Sequence, residues 1–227
     1  LCGLPGGFAS DHTAEVVGNP VRAALAPVNR DDLSSLARFS TSRPLRVLIL
    51  GGSLGAAPLN ELLPKVAGRI VEQGAGDVIS IWQQCGARNR VAADVAWEQT
   101  VFANRRCDDF IEDMPAAYGW ADVVIARAGA LTISELASTG TASLLIPLPH
   151  AIDDHQTENA KVLADAGAAV LVHQSDATPD YVAGQLTAWI AEPSILAKLA
   201  AAASQIASPE ATHRVVEALT GVAHADG

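Results

Sequence analysis

From Arg46 onward, short runs rich in β-branched residues alternate with longer alanine-rich amphipathic stretches, and few folds are open to a chain with that rhythm. The runs cover 47–50, 78–82, 100–103, 122–126, 143–147 and 169–172. Most are apolar throughout rather than at every second position, the mark of strands covered on both faces. Between them the spacing predicts helices over 56–73, 88–97, 113–120, 130–139 and 155–166. Strand and helix in alternation predict a parallel sheet joined by right-handed crossovers, a doubly wound α/β domain. Beyond residue 172 the pattern is helical only. Pro179, Pro193 and Pro209 fall near helix starts, where proline costs little; the last helix is expected to end near Leu219, and the tail from His224 to fray.

Composition narrows the function. Hydrophobic residues make up 49% of the 227 and charged residues 18%, which fills a core and excludes global disorder. Twenty-five acidic against 15 basic residues give a net charge of −10, which argues against nucleic acid as a partner, because phosphate backbones are met by clustered Lys and Arg. No apolar run approaches the roughly 18 residues that cross a bilayer. Cys2, Cys85 and Cys107 do not make a disulfide framework and suit a reducing compartment. The first eight residues lack the basic start and apolar region of a signal peptide, and the first is not Met. The expectation is a soluble, intracellular piece of something longer.

The head differs from the rest. Residues 1–18 hold turn residues and one short apolar stretch, 14–17, leading into Gly18-Asn19-Pro20-Val21-Arg22. Residues 26–43 are polar and loop-like, with one helical turn expected around 31–38. A strand-like end followed by a turn, with no sheet of its own, reads as the exit from a preceding domain.

Three strand-to-helix junctions carry chemistry. In Gly51-Gly52-Ser53-Leu54-Gly55-Ala56, glycines permit a tight turn and close approach of a ligand, and the helix start offers free N–H groups to an anion. The alternative is a glycine turn needed only for close packing. The nicotinamide dinucleotide pattern is not met: Asp77 lies at the start of the second strand, and its end reads Trp82-Gln83-Gln84. In Arg127-Ala128-Gly129-Ala130-Leu131-Thr132-Ile133-Ser134-Glu135, the first N–H groups of the helix suit a phosphate, and the Glu135 carboxylate suits the two adjacent hydroxyls of a ribose. Thr132 and Glu135 also have the spacing of a capping box. The third junction, residues 147–160, offers His150, Asp153, Asp154, His155 and Gln156 to sugar hydroxyls; a metal site, or an N-cap at Asp154, are the other readings. Ile111, just after the third run, could meet a planar base or simply fill the core. Residues Gly51-Gly52-Ser53-Leu54-Gly55 spell G-x-S-x-G, but Ser53 is read in a phosphate-type turn rather than a hydrolase's nucleophile elbow; no Asp-x-Asp motif occurs, and the remaining histidines show no partner pattern.

In this order the motifs Gly-Asn-Pro-Val-Arg, Gly-Gly-Ser-x-Gly-Ala, Phe-Ile-x-Asp-Met, Gly-Ala-Leu-Thr-Ile-Ser-Glu and His-x-x-Asp-Asp-His-Gln-x-x-Asn-Ala resemble the MurG family, across about residues 5 to 220. The resemblance implies a Rossmann-like doubly wound sheet forming the C-terminal half of a GT-B glycosyltransferase. It implies an inverting transfer of GlcNAc from UDP-GlcNAc to lipid I, undecaprenyl-pyrophosphoryl-MurNAc-pentapeptide, giving lipid II for peptidoglycan at the cytoplasmic face of the bacterial inner membrane. By the same resemblance Arg22 and Ser53 are donor-binding, Ser53 near the phosphates, and Ile111 meets the uracil through its backbone. Ala130, Leu131, Thr132, Ile133, Ser134 and Glu135 hold the diphosphate and, through Glu135, the ribose; Gln156 bonds the GlcNAc hydroxyls. No cofactor or metal is implied. The expected organisation is the end of an acceptor domain and linker at 1–20, the donor-binding domain at 21–220 and a frayed tail at 221–227. The acceptor half, with its own glycine-rich loop and the general base, is expected outside this sequence, so no catalytic residue can be named. A stand-alone nucleotide-sugar binding module and another GT-B UDP-sugar transferase or epimerase are the competing readings.

Overall fold

A computed structural model of the chain describes residues 2–4, 15–36, 38–52, 55–149 and 154–225. Six strands, β1 Leu45–Leu50, β2 Ile79–Gln84, β3 Arg105–Asp108, β4 Val123–Ala126, β5 Ala142–Leu145 and β6 Ala169–Leu171, form one sheet in the order β3-β2-β1-β4-β5-β6. Every neighbouring pair is parallel. This is the doubly wound Rossmann order, with its reversal point between β1 and β4.

Helices cover both faces. They are α1 Asp31–Ser35, α2 Ala57–Glu72, α3 Arg90–Glu98, α4 Met114–Trp120, α5 Ala130–Thr139, α6 His155–Ala164, α7 Pro179–Ala191, α8 Ser194–Ile206 and α9 Ala211–Ala225. Side chains alternate across a strand, so the run Leu45–Leu50 serves two cores at once. Val47 and Ile49 pack with Leu59, Leu63 and Ile70 of α2 and with Leu186 and Trp189 of α7. Leu48 and Leu50 pack on the other side with Met114 of α4, Ile133 and Leu136 of α5 and Leu163 of α6. That double burial is why the sequence shows continuous apolar runs.

Five of the six strands and the helices lie where the sequence puts them, within two residues at nearly every boundary. The third strand does not. It was expected over 100–103 and is found at Arg105–Asp108. The apolar 100–103 run is instead a connector: Phe102 is buried while Val101 is almost fully exposed. β3 is an edge strand, and its charged sequence Arg-Arg-Cys-Asp is what an edge tolerates and a covered strand does not. β2 extends to Gln84, because its terminal glutamines are satisfied internally. β4 begins one residue late, since the Asp122 carboxylate accepts two bonds from Arg43 and one from the Arg46 amide. α9 runs to Ala225, past the expected end near Leu219, and residues 226–227 lie outside the described ones.

The head docks on this domain. Cys2 and Val16 form a parallel bridge, and Glu15 pairs with Arg214 of α9 at 3.0 Å. Asn19 bonds Ser134 at the start of α5, while Val28 and Arg30 bond Thr139 and Gly140 at its end.

Candidate functional site

The β1–β4 pairing sets the site. Leu50 lies opposite Ala126, and the Arg127 amide donates to the Leu50 carbonyl at 3.3 Å. The glycine loop after β1 and the start of α5 after β4 are therefore neighbours at the carboxyl edge of the sheet. Ligands enter such folds in the crevice at that reversal point.

The glycines of the first loop have separate jobs. A Cβ on Gly55, whose φ is +72°, would lie 2.0 Å from the Cys85 carbonyl oxygen, so this glycine is required by packing. Gly52, at φ +82°, faces open space and leaves room for a ligand. Gly55 thus fits the packing reading, while Gly52 has the open space that the ligand reading needs. Ser53 and Leu54 lie outside the described residues.

Gly129 is the N-cap of α5 and has no side chain to cap it, so the N–H groups of Ala130, Leu131 and Thr132 face the crevice without an intrahelical partner. The capping-box reading falls here, because Thr132 and Glu135 stand inside the helix rather than at its cap. Ala130 and Leu131 are exposed, Thr132 is half-buried and its hydroxyl has no hydrogen bond among the described residues. Ile133 is a core side chain. The Ser134 hydroxyl bonds the Ala130 carbonyl and accepts from Asn19 at 3.0 Å. Glu135, one turn further on, accepts from the Tyr118 hydroxyl at 3.0 Å through one oxygen and has Arg22 at 3.7 Å from the other. The structure thus brings Arg22, Thr132 and Glu135 to one end of α5.

Ile111 answers the base-or-core question in two parts. Its side chain is 3% exposed, within the α4–α5 core. Its amide donates to Gln84 Oε1 at 2.9 Å, and Gln84 Nε2 donates to the Gly52 carbonyl at 3.0 Å. One glutamine therefore joins the two loops, a link that no sequence motif announced. The adjacent Gln83 is fully buried, accepting from Trp97 and donating to Asn60, whose own amide holds the Cys85 carbonyl. These glutamines occupy the place where a dinucleotide fold would carry its ribose-binding acid.

Gln156, in the first turn of α6, accepts from the amides of Ala128 and Leu148 at 3.3 and 3.0 Å, tying together the exits of β4 and β5. Its Nε2 group has no hydrogen bond among the described residues and is the part free for a hydroxyl. Asp154 does stand at the N-cap of α6, yet its carboxylate accepts from the Thr157 hydroxyl instead of a backbone amide. His150 and Asp153 lie outside the described residues, and no cluster of three metal-ligating side chains occurs among those described.

Arg127 was quoted in the motif without a role. It is buried, with Nη1 donating to the Ile146 and Pro147 carbonyls at 2.9 Å, Nε unpaired and no carboxylate in ion-pair range among the described residues. Burial pushes its pKa down from the usual arginine value. Together with the uncapped start of α5 it makes this edge of an acidic protein locally positive, as a diphosphate requires.

Sheet order and crevice are those of a class: the C-terminal half of a GT-B glycosyltransferase. The model of the glycosyltransferase family 28 C-terminal domain matches residues 46–215, and the chain belongs to that family. The UDP-N-acetylglucosamine–N-acetylmuramyl-(pentapeptide) pyrophosphoryl-undecaprenol N-acetylglucosamine transferase of Shewanella denitrificans is 42% identical over 219 residues, 96% of this chain and 58% of that relative. The enzyme of the same name from Pseudomonas fluorescens is 44% identical over 223 residues, 97% of this chain and 59% of its own. Among solved structures, Acinetobacter baumannii MurG superposes with a TM-score of 0.75 at 39% identity, covering 94% of this chain and 58% of that one. The resemblance drawn from the five motifs is borne out. The chain spans under three fifths of the length of these relatives.

Proposed function

We propose that residues 21–220 form the UDP-GlcNAc site of a transferase that passes GlcNAc to lipid I and yields lipid II. The observation that carries this reading is the convergence, across the β1–β4 pair, of an open glycine loop, an uncapped helix start and the Glu135 carboxylate. The diphosphate sits on the Ala130–Thr132 amides, with Gly52 on its other side; the donor role of Ser53 rests on the resemblance. Glu135 accepts from the ribose, the loop at Ile111 borders the uracil, and the free amide of Gln156 serves the sugar hydroxyls. Arg22, exposed beside Glu135, closes the ribose side. When the glycosidic bond breaks, negative charge grows on the departing UDP, and the positive end of α5 with buried Arg127 stabilises it without rearrangement.

The lipid-linked acceptor site, and the group that takes the proton from the attacking hydroxyl, belong to the part of the relatives' length that this chain does not span. The acceptor's polyprenyl tail ties the reaction to a membrane surface, which the resemblance puts at the cytoplasmic face of the bacterial inner membrane. Residues 1–20 are the approach from that acceptor part.

Calorimetric titration of the chain with UDP-GlcNAc, without added divalent metal and with NAD as control, tests the reading. Saturable binding of UDP-GlcNAc alone, weakened at least tenfold in Glu135→Ala and Thr132→Ala, is expected. Equal binding of NAD, or wild-type affinity in both variants, would show that the crevice serves another ligand or that the contacts lie elsewhere.

A further inference from the structure

We infer that Tyr118 is a positioning residue that sets the Glu135 carboxylate for a ribose diol and thereby sets the preference of this site for ribonucleotides over deoxynucleotides. The inference rests on the reading of Glu135 as the ribose ligand.

Tyr118 lies near the end of α4, fully buried among Ile133, Leu136 and Ala117. It is held at both ends. Arg30 Nη2 donates to its backbone carbonyl at 3.0 Å, and its own hydroxyl donates to Glu135 Oε2 at 3.0 Å. Glu135 stands on the crevice side of α5 with its side chain 19% exposed, and an unheld glutamate there would sample several rotamers. A phenol fixed by the core removes that freedom before the ligand arrives, which lowers the entropy lost on binding.

The count of acceptor sites fits. A carboxylate offers about four lone-pair positions. Tyr118 takes one, and Arg22 Nη2, at 3.7 Å from Oε1, stands beyond hydrogen-bond distance, so the remaining positions are open to two neighbouring hydroxyls. Burial, and after it the adjacent Glu135, hold the Tyr118 pKa well above the usual phenol value, so the hydroxyl stays a donor throughout the neutral range.

The test compares UDP with 2′,3′-dideoxy-UDP, which lacks the diol, by titration against the chain. A site built around the diol should prefer UDP by about a hundredfold, the upper worth of one hydrogen bond to a charged group. Tyr118→Phe keeps the ring and its packing and should cut that ratio to about tenfold, whereas Glu135→Ala should bring it to about one. A purely structural role for Tyr118 would weaken both ligands in proportion and leave the ratio alone, and that result overturns the inference. Absence of any wild-type preference overturns the ribose reading itself, so the two failures are distinguishable. If Tyr118→Phe lowers the melting temperature too far for titration, the preference is read instead from the melting-temperature shifts that UDP and 2′,3′-dideoxy-UDP each give that variant, where the same collapse of the ratio is expected. Retention of the full ratio there also overturns the inference.

Discussion

Gln84 shows how much a single buried side chain can organise. Its carboxamide oxygen takes the Ile111 amide and its nitrogen serves the Gly52 carbonyl, so the loop expected at the base and the loop expected at the phosphates are spaced by one planar group. Leucine fills nearly the same volume and makes neither bond. Gln84→Leu is expected to destabilise the chain by about 1–3 kcal/mol, the cost of leaving a buried polar group unpaired. UDP-GlcNAc affinity should fall more than stability alone explains. Urea titration and calorimetry on the same variant separate the two effects. The sequence could not disclose this role, nor that of Tyr118, because both depend on partners brought close only by folding: Gln84 to Ile111 across the β2–β3 edge, Tyr118 to Glu135 across two helices. Glu135 itself was legible, since a carboxylate one turn inside a helix that follows a glycine is a local pattern. Gln156 was legible as a polar group at a helix start, but not as the tie between Ala128 and Leu148.

Elements were legible where burial was symmetric. Strands covered on both faces announce themselves as apolar runs, and β1, β4 and β5 were found that way. β3 was displaced because an edge strand obeys solvent on one side, so the neighbouring buried Phe102 drew attention to the wrong segment. The glycine loop makes a testable contrast at this scale. Gly55→Ala places a methyl group 2.0 Å from the Cys85 carbonyl at a φ of +72°, so backbone must move. A loss of at least about 2 kcal/mol is expected, the sum of a left-handed backbone penalty and the displacement. Gly52→Ala meets no neighbour, and should cost about 1–2 kcal/mol through φ alone while weakening UDP-GlcNAc. Denaturation midpoints of the two variants check the order.

For the molecule as a whole, alkaline pH is informative. The Cys107 thiol is pushed up to about 12, by burial first and by the neighbouring Cys85 next, from an ordinary value of 9.0. Burial raises Cys85 as well, and Tyr118 is held above its usual 10.0. In each case the unfolded chain gives up its proton earlier than the folded one. The sign follows: the unfolded state binds fewer protons, so stability falls as pH rises above about 9. Arg30, lowered to about 10 by burial, acts in the opposite direction only at higher pH, where the unfolded arginine still holds its proton. Urea midpoints should therefore drop between pH 8 and 10, and Cys107→Ser, which has no thiol to ionise, should flatten the drop. An unchanged slope in that variant would remove Cys107 from the account.

The strand order has a kinetic side. β1 meets β4 only across the whole length of chain that holds β2 and β3, because both lie between them in sequence. Closing that long loop is the entropically expensive, non-local event of assembly. The crevice, bounded by Leu50 and Ala126, comes into being at that same event. A partly folded chain with only its β1–β2–β3 flank in place would hold strands, helices and half a core, yet no crevice. A ligand of this crevice therefore has nothing to bind before β1 and β4 pair, and added UDP should slow unfolding without hastening the first steps of folding.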